Sequence, residues 1–322
     1  MVRGDCSSPQ EVKGDRVLTL LRSELNVTIG ICVKNSERTI RECLKSILNQ
    51  NYPKESLEII LVDGGSKDKT LEIARQMTAG SGIRSRFFSD CGKGLGVARQ
   101  IVLENTRNEY VVWVDGDVVI SNDFVRSQVE FMAQRPQVGV AAGIYVYREN
   151  AHMTLPALFQ SLSKYVGSLE FADAREYHGL PPNDATIYRV EASRQVGGFC
   201  REIRGASEDE DIITRIRRKG WLLSLNRRAR FYAHPRETWQ GIWTESSWFG
   251  YGKHFLSHKR GDPQKLAYKS PVLFFFTSFR VGGKAYRLTL RREAFLLPVG
   301  YFFSTIAWWF GFLRAHAEGY GH

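Results

Sequence analysis

The sequence has no pair of cysteines close enough for a CxxC site. Its five, Cys6, Cys32, Cys43, Cys91 and Cys200, are odd in number and widely spaced. That spacing argues against a disulfide framework and a cysteine zinc site, and it suits a reducing, cytosolic setting. The amino terminus carries Arg3 and Asp5 but no apolar core of signal-peptide length, so no export signal is expected. No Gly-Lys-Ser or Gly-Lys-Thr occurs, which removes the Walker type of phosphate loop. Internal repeats and low-complexity segments are also lacking. The basic residues are scattered, with no aromatic clusters among them, which argues against a nucleic-acid binder.

The chain does have an apolar share of 43% and a charged share of 25%, as expected of a folded protein, over 322 residues. The formal net charge of +11 points to an anionic partner such as a phosphorylated ligand or an acidic membrane surface. The basic excess is densest in the carboxyl-terminal third, with Lys253, Lys259, Arg280, Lys284, Arg287, Arg291 and Arg292 among its residues.

One stretch organises the rest: Tyr110-Val111-Val112-Trp113-Val114-Asp115-Gly116-Asp117. An apolar, β-branched run of this length reads as a strand buried on both faces. Two carboxylates at its carboxyl end stand where open α/β sheets bind ligands, and they offer oxygen donors to a divalent cation. The same three residues also suit an acidic turn.

Strands and helices alternate around this stretch. Residues 27–33 read as strand, and Ile40, Cys43, Leu44, Ile47 and Leu48 form one apolar helical face. Residues 57–62 form a second strand, after which Ser66 is placed to cap a helix carrying Leu71, Ile73, Ala74 and Met77. Arg86-Phe87-Phe88, the glycine-rich 91–96 and a helix at 97–105 precede the central stretch. Ser121-Asn122-Asp123 then caps a helix through Met132, and 137–147 returns as strand. Residues 27–147 therefore read as a doubly wound, Rossmann-like nucleotide domain. Beyond it, 155–171 is helical, 183–188 is strand, 205–211 is a polar loop leading to a helix at 212–219, and 229–233 is strand-like. Residues 1–26 read as an amino-terminal arm without chemistry.

Four further positions attract attention. Asp63 ends a buried strand and can reach a base or ribose, or simply close a turn. Lys93, between Gly92 and Gly94 ahead of a helix, offers an ammonium and backbone amides to a diphosphate. The run Glu208-Asp209-Glu210-Asp211 supplies a possible general base, or acids that merely favour a helix amino end. His234 follows the strand-like 229–233 and is a possible metal ligand or a structural hydrogen-bonding group.

The far end is apolar. Residues 295–313 contain no charge, are rich in Phe and Trp, and are flanked by Arg291, Arg292 and Arg314. That length just reaches a bilayer span, while Pro298, Gly300 and Gly311 leave an interfacial helix or a buried subunit contact open. Residues 271–279 form a second apolar patch too short to span.

Taken in order, four stretches resemble family 2 of the inverting, nucleotide-sugar-dependent glycosyltransferases with the GT-A fold. They are residues 27–37, residues 58–70, Asp115-Gly116-Asp117, and 208–221 with its Glu208-Asp209 pair. The resemblance implies a catalytic domain at 27–240, with a nucleotide-binding half at 27–147 and an acceptor half at 148–240, and the apolar, basic composition beyond it reads as a membrane-associating helical region at 241–322. It implies that Asp63 binds the base, that Asn35 and Glu37 border the same pocket, and that Asp115 holds ribose. Asp117 would hold a metal-bound diphosphate, Mg2+ or Mn2+ being the cation, with His234 matching a metal-binding His of some relatives. Asp209 would deprotonate the acceptor.

Two departures stand out. Cys32-Val33 replaces the Pro-Thr or Pro-Val frequent in the family, and Trp248-Phe249-Gly250-Tyr251-Gly252-Lys253 stands where processive synthases carry Gln-x-x-Arg-Trp. A single transfer is therefore expected, from a UDP- or GDP-sugar to a polyprenyl phosphate, lipid-linked saccharide or glycan, at the cytoplasmic face of the membrane. A sugar-nucleotide pyrophosphorylase would need an early Gly-rich loop with a Lys-Arg signature, which is absent. A non-catalytic nucleotide-sugar-binding or membrane scaffold is the alternative of another class.

Overall fold

The computed structural model describes residues 25–149, 153–173, 184–259 and 270–321. The arm expected at 1–26 lies almost wholly outside the described residues, as does Asn183 at the start of one expected strand.

An eight-stranded mixed sheet runs in the order β3-β2-β1-β4-β7-β6-β8-β5. Its strands are β1 (Val27–Val33), β2 (Leu57–Asp63), β3 (Arg84–Ser89), β4 (Tyr110–Val114), β5 (Val118–Ile120), β6 (Val138–Tyr145), β7 (Ala185–Arg189) and β8 (Leu222–Ala233). The first four are parallel neighbours, and β7 pairs antiparallel with β4. All five residues of β4 are buried, as the apolar run required. Each such side chain contributes roughly 1.5–3 kcal/mol by leaving water. Chain order reverses between β1 and β4, and the crevice this opens at their carboxyl ends receives Asp115 and Asp117.

Helices cover both faces: α1 (Ile40–Leu48), α2 (Thr70–Thr78), α3 (Leu95–Asn105), α4 (Phe124–Ala133), α5 (Leu155–Asp173), α6 (Val190–Gln195) and α7 (Glu208–Arg218). One core lies between the sheet and α1, α2 and α4. A second lies under α3 and α7, where Trp113 meets Tyr188 and Phe199 edge to face.

Three local expectations are corrected. Ser66 does not cap α2, which begins four residues later; its hydroxyl donates to Asp63 Oδ1 at 2.6 Å and accepts from the Asn35 amide at 2.9 Å. Asp123 makes no capping bond at α4 and instead accepts from Asn51 Nδ2 at 2.9 Å. The acidic run is not a loop, because α7 begins at Glu208 and holds all four acids in its first turn. Two strand segments were also unforeseen. The short β5 follows Asp117 directly, and β8 starts at Leu222, where exposed polar residues and an irregular register against β6 obscure the alternation.

The carboxyl-terminal region is helical: α8 (Trp239–Lys259), α9 (Pro271–Thr289) and α10 (Leu297–Ala317). Helices α8 and α10 cross at close range through glycines. A Cβ at Gly250 would sit 1.8 Å from the Trp308 carbonyl oxygen, and one at Gly311 would sit 1.9 Å from that of Ser247. Residues 292–317 form one helical stretch long and apolar enough to cross a membrane, with 44% of its most apolar window buried against the protein.

Candidate active site

The crevice is a cleft of about 1520 Å³. One wall comes from the β1–α1 connection, with Asn35 and Glu37, from Glu42 in the first turn of α1, and from Asp68. The floor is Asp115-Gly116-Asp117, and the opposite wall carries His234, Arg236 and Glu245. Lys164 and Asp184, paired at 2.9 Å, close one end.

Asn35 has a positive φ of 52°, sparsely populated for a residue with a side chain. Its Oδ1 accepts from the Lys67 amide at 2.9 Å, and Glu37 Oε2 accepts from the Lys69 amide at 3.2 Å. These bonds tie the β1 and β2 loops into one rim.

Asp115 and Asp117 diverge. Asp115 Oδ1 takes a 3.1 Å bond from Arg99 Nη2, and burial pushes its carboxyl up to about 7 against the opposing pull of Arg99. Asp117 Oδ2 faces the Arg236 guanidinium at 3.3 Å. The His234 amide donates to the Asp117 carbonyl oxygen at 2.8 Å, which sets the imidazole beside the acid pair. His234 Nε2 is buried and makes no hydrogen bond, although Glu42 Oε2 approaches to 3.1 Å. A buried imidazole nitrogen of this kind beside a carboxylate is a donor set that fits a divalent cation.

The four acids of α7 have four different partners. Glu208 Oε1 meets Arg99 Nη1 at 2.9 Å, and Asp209 Oδ1 accepts from the Glu210 amide at 2.8 Å. Glu210 pairs with Lys253 at 2.5 Å and Asp211 with Arg215 at 2.5 Å. Burial raises the Glu208 carboxyl to about 8 and raises that of Asp209 as well, in both cases against Arg99. Asp209 does not itself line the cleft, whereas Asp184 does. The charge of Asp184 is among the causes that raise it.

Asn35, Glu37, Asp115, Asp117 and His234 are thus brought together, whereas Asp63, Lys93 and Asp209 do not line the cleft. The Asp63 carboxylate is used by its own turn, accepting from the Gly65 and Ser66 amides at 3.1–3.2 Å. The amides of Gly92 and Gly94 point to Asp90, and Lys93 faces a separate hollow with Arg201 and Arg204. The sequence reading missed Arg99, Lys164, Asp184 and Arg236. A signal existed for Arg99, because Leu95, Arg99 and Val102 share a helical face and so place a guanidinium on the buried side of α3. Arg236 lies in a connection without periodicity.

The model of the family described as Glycosyl transferase family 2 matches residues 28–196, more than half of the sequence. The chain belongs to this family. Among curated relatives, an uncharacterized glycosyltransferase of Haemophilus influenzae is 34% identical over 108 residues, 34% of this chain and 42% of that protein. Glycosyltransferase AglE of Haloferax volcanii is 30% identical over 172 residues, 49% of this chain and 56% of that protein. The chain spans about half the length of these curated relatives. In three dimensions it is similar to mannosyltransferase PcManGT of Pyrobaculum calidifontis, solved with GDP-Man and Mn2+: TM-score 0.64, 17% identity, 96% of this chain and 94% of that one. TarS 1-349 of S. aureus, solved with UDP, gives a TM-score of 0.51 at 17% identity, covering 92% of each chain. The fold is therefore of the GT-A type.

Proposed function

We propose that this family 2 chain is an inverting, divalent-cation-dependent glycosyltransferase. It moves one sugar from a UDP- or GDP-linked donor to a hydroxyl or phosphate acceptor presented at a membrane. The observation that carries this reading is the cleft itself, which sets the rim of Asn35 and Glu37, the acids Asp115 and Asp117, and His234 around one space at the sheet's switch point. Support also comes from PcManGT, solved with GDP-Man and Mn2+, and from TarS, solved with UDP.

Asp117 and His234 would hold the cation, Mg2+ or Mn2+, which when bound supplies positive charge to the diphosphate as it leaves. Asn35 and Glu37 border the nucleotide, and Asp115 orients the ribose. Asp63 shapes the nucleotide wall through its turn. Arg236, which lines the cleft beside Asp117, is the cation placed to meet the diphosphate in this reading, rather than Lys93, which lines a different hollow. Asp209 takes the acceptor proton as the acceptor oxygen attacks the anomeric carbon, and its raised proton affinity strengthens it as a base.

The acceptor is lipid-linked in this reading, a polyprenyl phosphate or a saccharide carried on one. One face of α10 is packed on the protein while Val299, Phe302, Ile306, Phe310 and Leu313 are exposed along the other. Because α10 is locked to α8, which carries Glu245, Lys253 and Lys259, a spanning α10 would drag charges into hydrocarbon. The exposed stripe instead lies in the interface, with Arg291, Arg292 and Arg314 at the headgroups.

The test is a thermal-shift panel of nucleotide sugars with and without Mn2+. One donor is expected to raise Tm by several degrees only when the cation is present. Stabilisation by none of the common UDP- and GDP-sugars would overturn the reading.

A further inference from the structure

His254, His258 and His316 lie away from the cleft, where the carboxyl-terminal halves of α8 and α10 meet, and each places a ring nitrogen within 4.8 Å of the others. His254 and His258 are one helical turn apart with stacked rings, centroids 4.0 Å apart. His254 Nε2 and His316 Nδ1 are hydrogen-bonded at 3.2 Å, an arrangement in which the His316 N–H donates and which a bound ion would replace.

The hydrogen bonds define the tautomers. His254 Nδ1 is 2.7 Å from the Tyr320 carbonyl oxygen, and His258 Nδ1 is 3.0 Å from that of His254. A carbonyl only accepts, so each Nδ1 carries the hydrogen and each neutral ring keeps its lone pair on Nε2. Metal-ligating histidines are oriented in the same way, by giving their other N–H to a backbone carbonyl. Two nitrogens each about 2.0–2.1 Å from a tetrahedral ion stand roughly 3.3 Å apart, close to the spacing between His254 and His316. For His316 to ligate through Nδ1, its hydrogen moves to Nε2, a cheap shift on an exposed ring. His254 is fully buried while the other two are exposed, so an ion has a solvent-side entry and a place for water as fourth ligand.

We propose that these three histidines form a second metal site, distinct from the donor cleft, for a transition ion that prefers imidazole, Zn2+ fitting best. The ion clasps α8 to α10. That clasp reaches the acidic turn, because Lys253 of α8 pairs with Glu210 and the neighbouring Gly252 packs directly on Ala206.

The test uses the untagged full chain, stripped with chelator and reloaded with Zn2+ in excess Mg2+, which fills the oxygen-rich cleft. Bound Zn2+ after desalting is expected at about one per chain, with a raised Tm. His258→Ala and His316→Ala should each weaken Zn2+ binding at least tenfold while keeping the Mg2+-dependent stabilisation by donor. Two variants guard against a misfolded one. Zn2+ uptake unchanged in both variants, no uptake by the parent chain, or uptake abolished by Asp117→Ala would each overturn the proposal.

Discussion

Asp115 and Glu208 are held by the two ends of one guanidinium. Arg99 reaches Asp115 at 3.1 Å and Glu208 at 2.9 Å, and its own side chain is 3% exposed. The acid at the end of the central strand and the acidic turn of α7 are therefore positioned by a single buried residue. Above pH 8, where both carboxyls are ionised, Arg99→Met leaves two buried charges without their counter-charge, and a loss of about 3–5 kcal/mol is expected in urea unfolding. Arg99→Lys restores charge but not the two-armed geometry, so stability recovers in part while transfer stays at least tenfold down. A methionine variant within about 1 kcal/mol of the parent would contradict this.

Glu208 makes the protein's stability depend on pH. Its folded-state proton affinity, about 8, lies above the ordinary 4.5. Between those values the folded chain holds a proton that the unfolded chain releases, so this group's contribution falls as pH rises from about 4.5 to about 8. Glu208→Gln, neutral throughout, should flatten that part of the Tm-against-pH curve measured without nucleotide. Parallel curves for the two proteins would show that the group is ionised across the range.

Removing a cleft donor should affect the cation before the nucleotide. Asp117→Ala is expected to abolish Mn2+-dependent stabilisation by donor, and His234→Ala to raise the Mn2+ concentration for half-maximal transfer about 10–100-fold. A Mn2+ titration of turnover checks both. Unchanged metal dependence in Asp117→Ala would remove the acid from this role.

The exposed stripe of α10 can be tested without touching the cleft. Phe302→Ser with Phe310→Ser removes two exposed rings from that face. Co-sedimentation with anionic vesicles should fall at least tenfold, since each buried ring contributes roughly 1.5–3 kcal/mol. Turnover of a short water-soluble acceptor should stay near parental. Unaltered vesicle binding would assign the stripe to a protein contact.

The fold of residues 27–147 was legible because its signals are local. β4 is apolar throughout and wholly buried, and α1 shows a clean 3.6-residue face. The acid pair was legible because it ends such a strand. Asp63 and Lys93 were singled out by the same positional logic, yet short-range hydrogen bonding by Asp63 and Asp90 commits those loops to their own turns. Arg236 and Asp184 carried no sequence signal at all, since each meets its partner only through tertiary approach. The start of α7 was misplaced because four consecutive acids look like a loop until their partners Arg99, Lys253 and Arg215 are seen.

The most direct measurement is made on Asp209→Asn, an isosteric change that removes the base and leaves the donor cleft intact. Cation-dependent stabilisation by the nucleotide sugar should match the parent, while the transfer rate at saturating donor falls about 10²–10⁴-fold. Transfer within a few-fold of the parent, with stabilisation preserved, would contradict the assignment of Asp209 as the base.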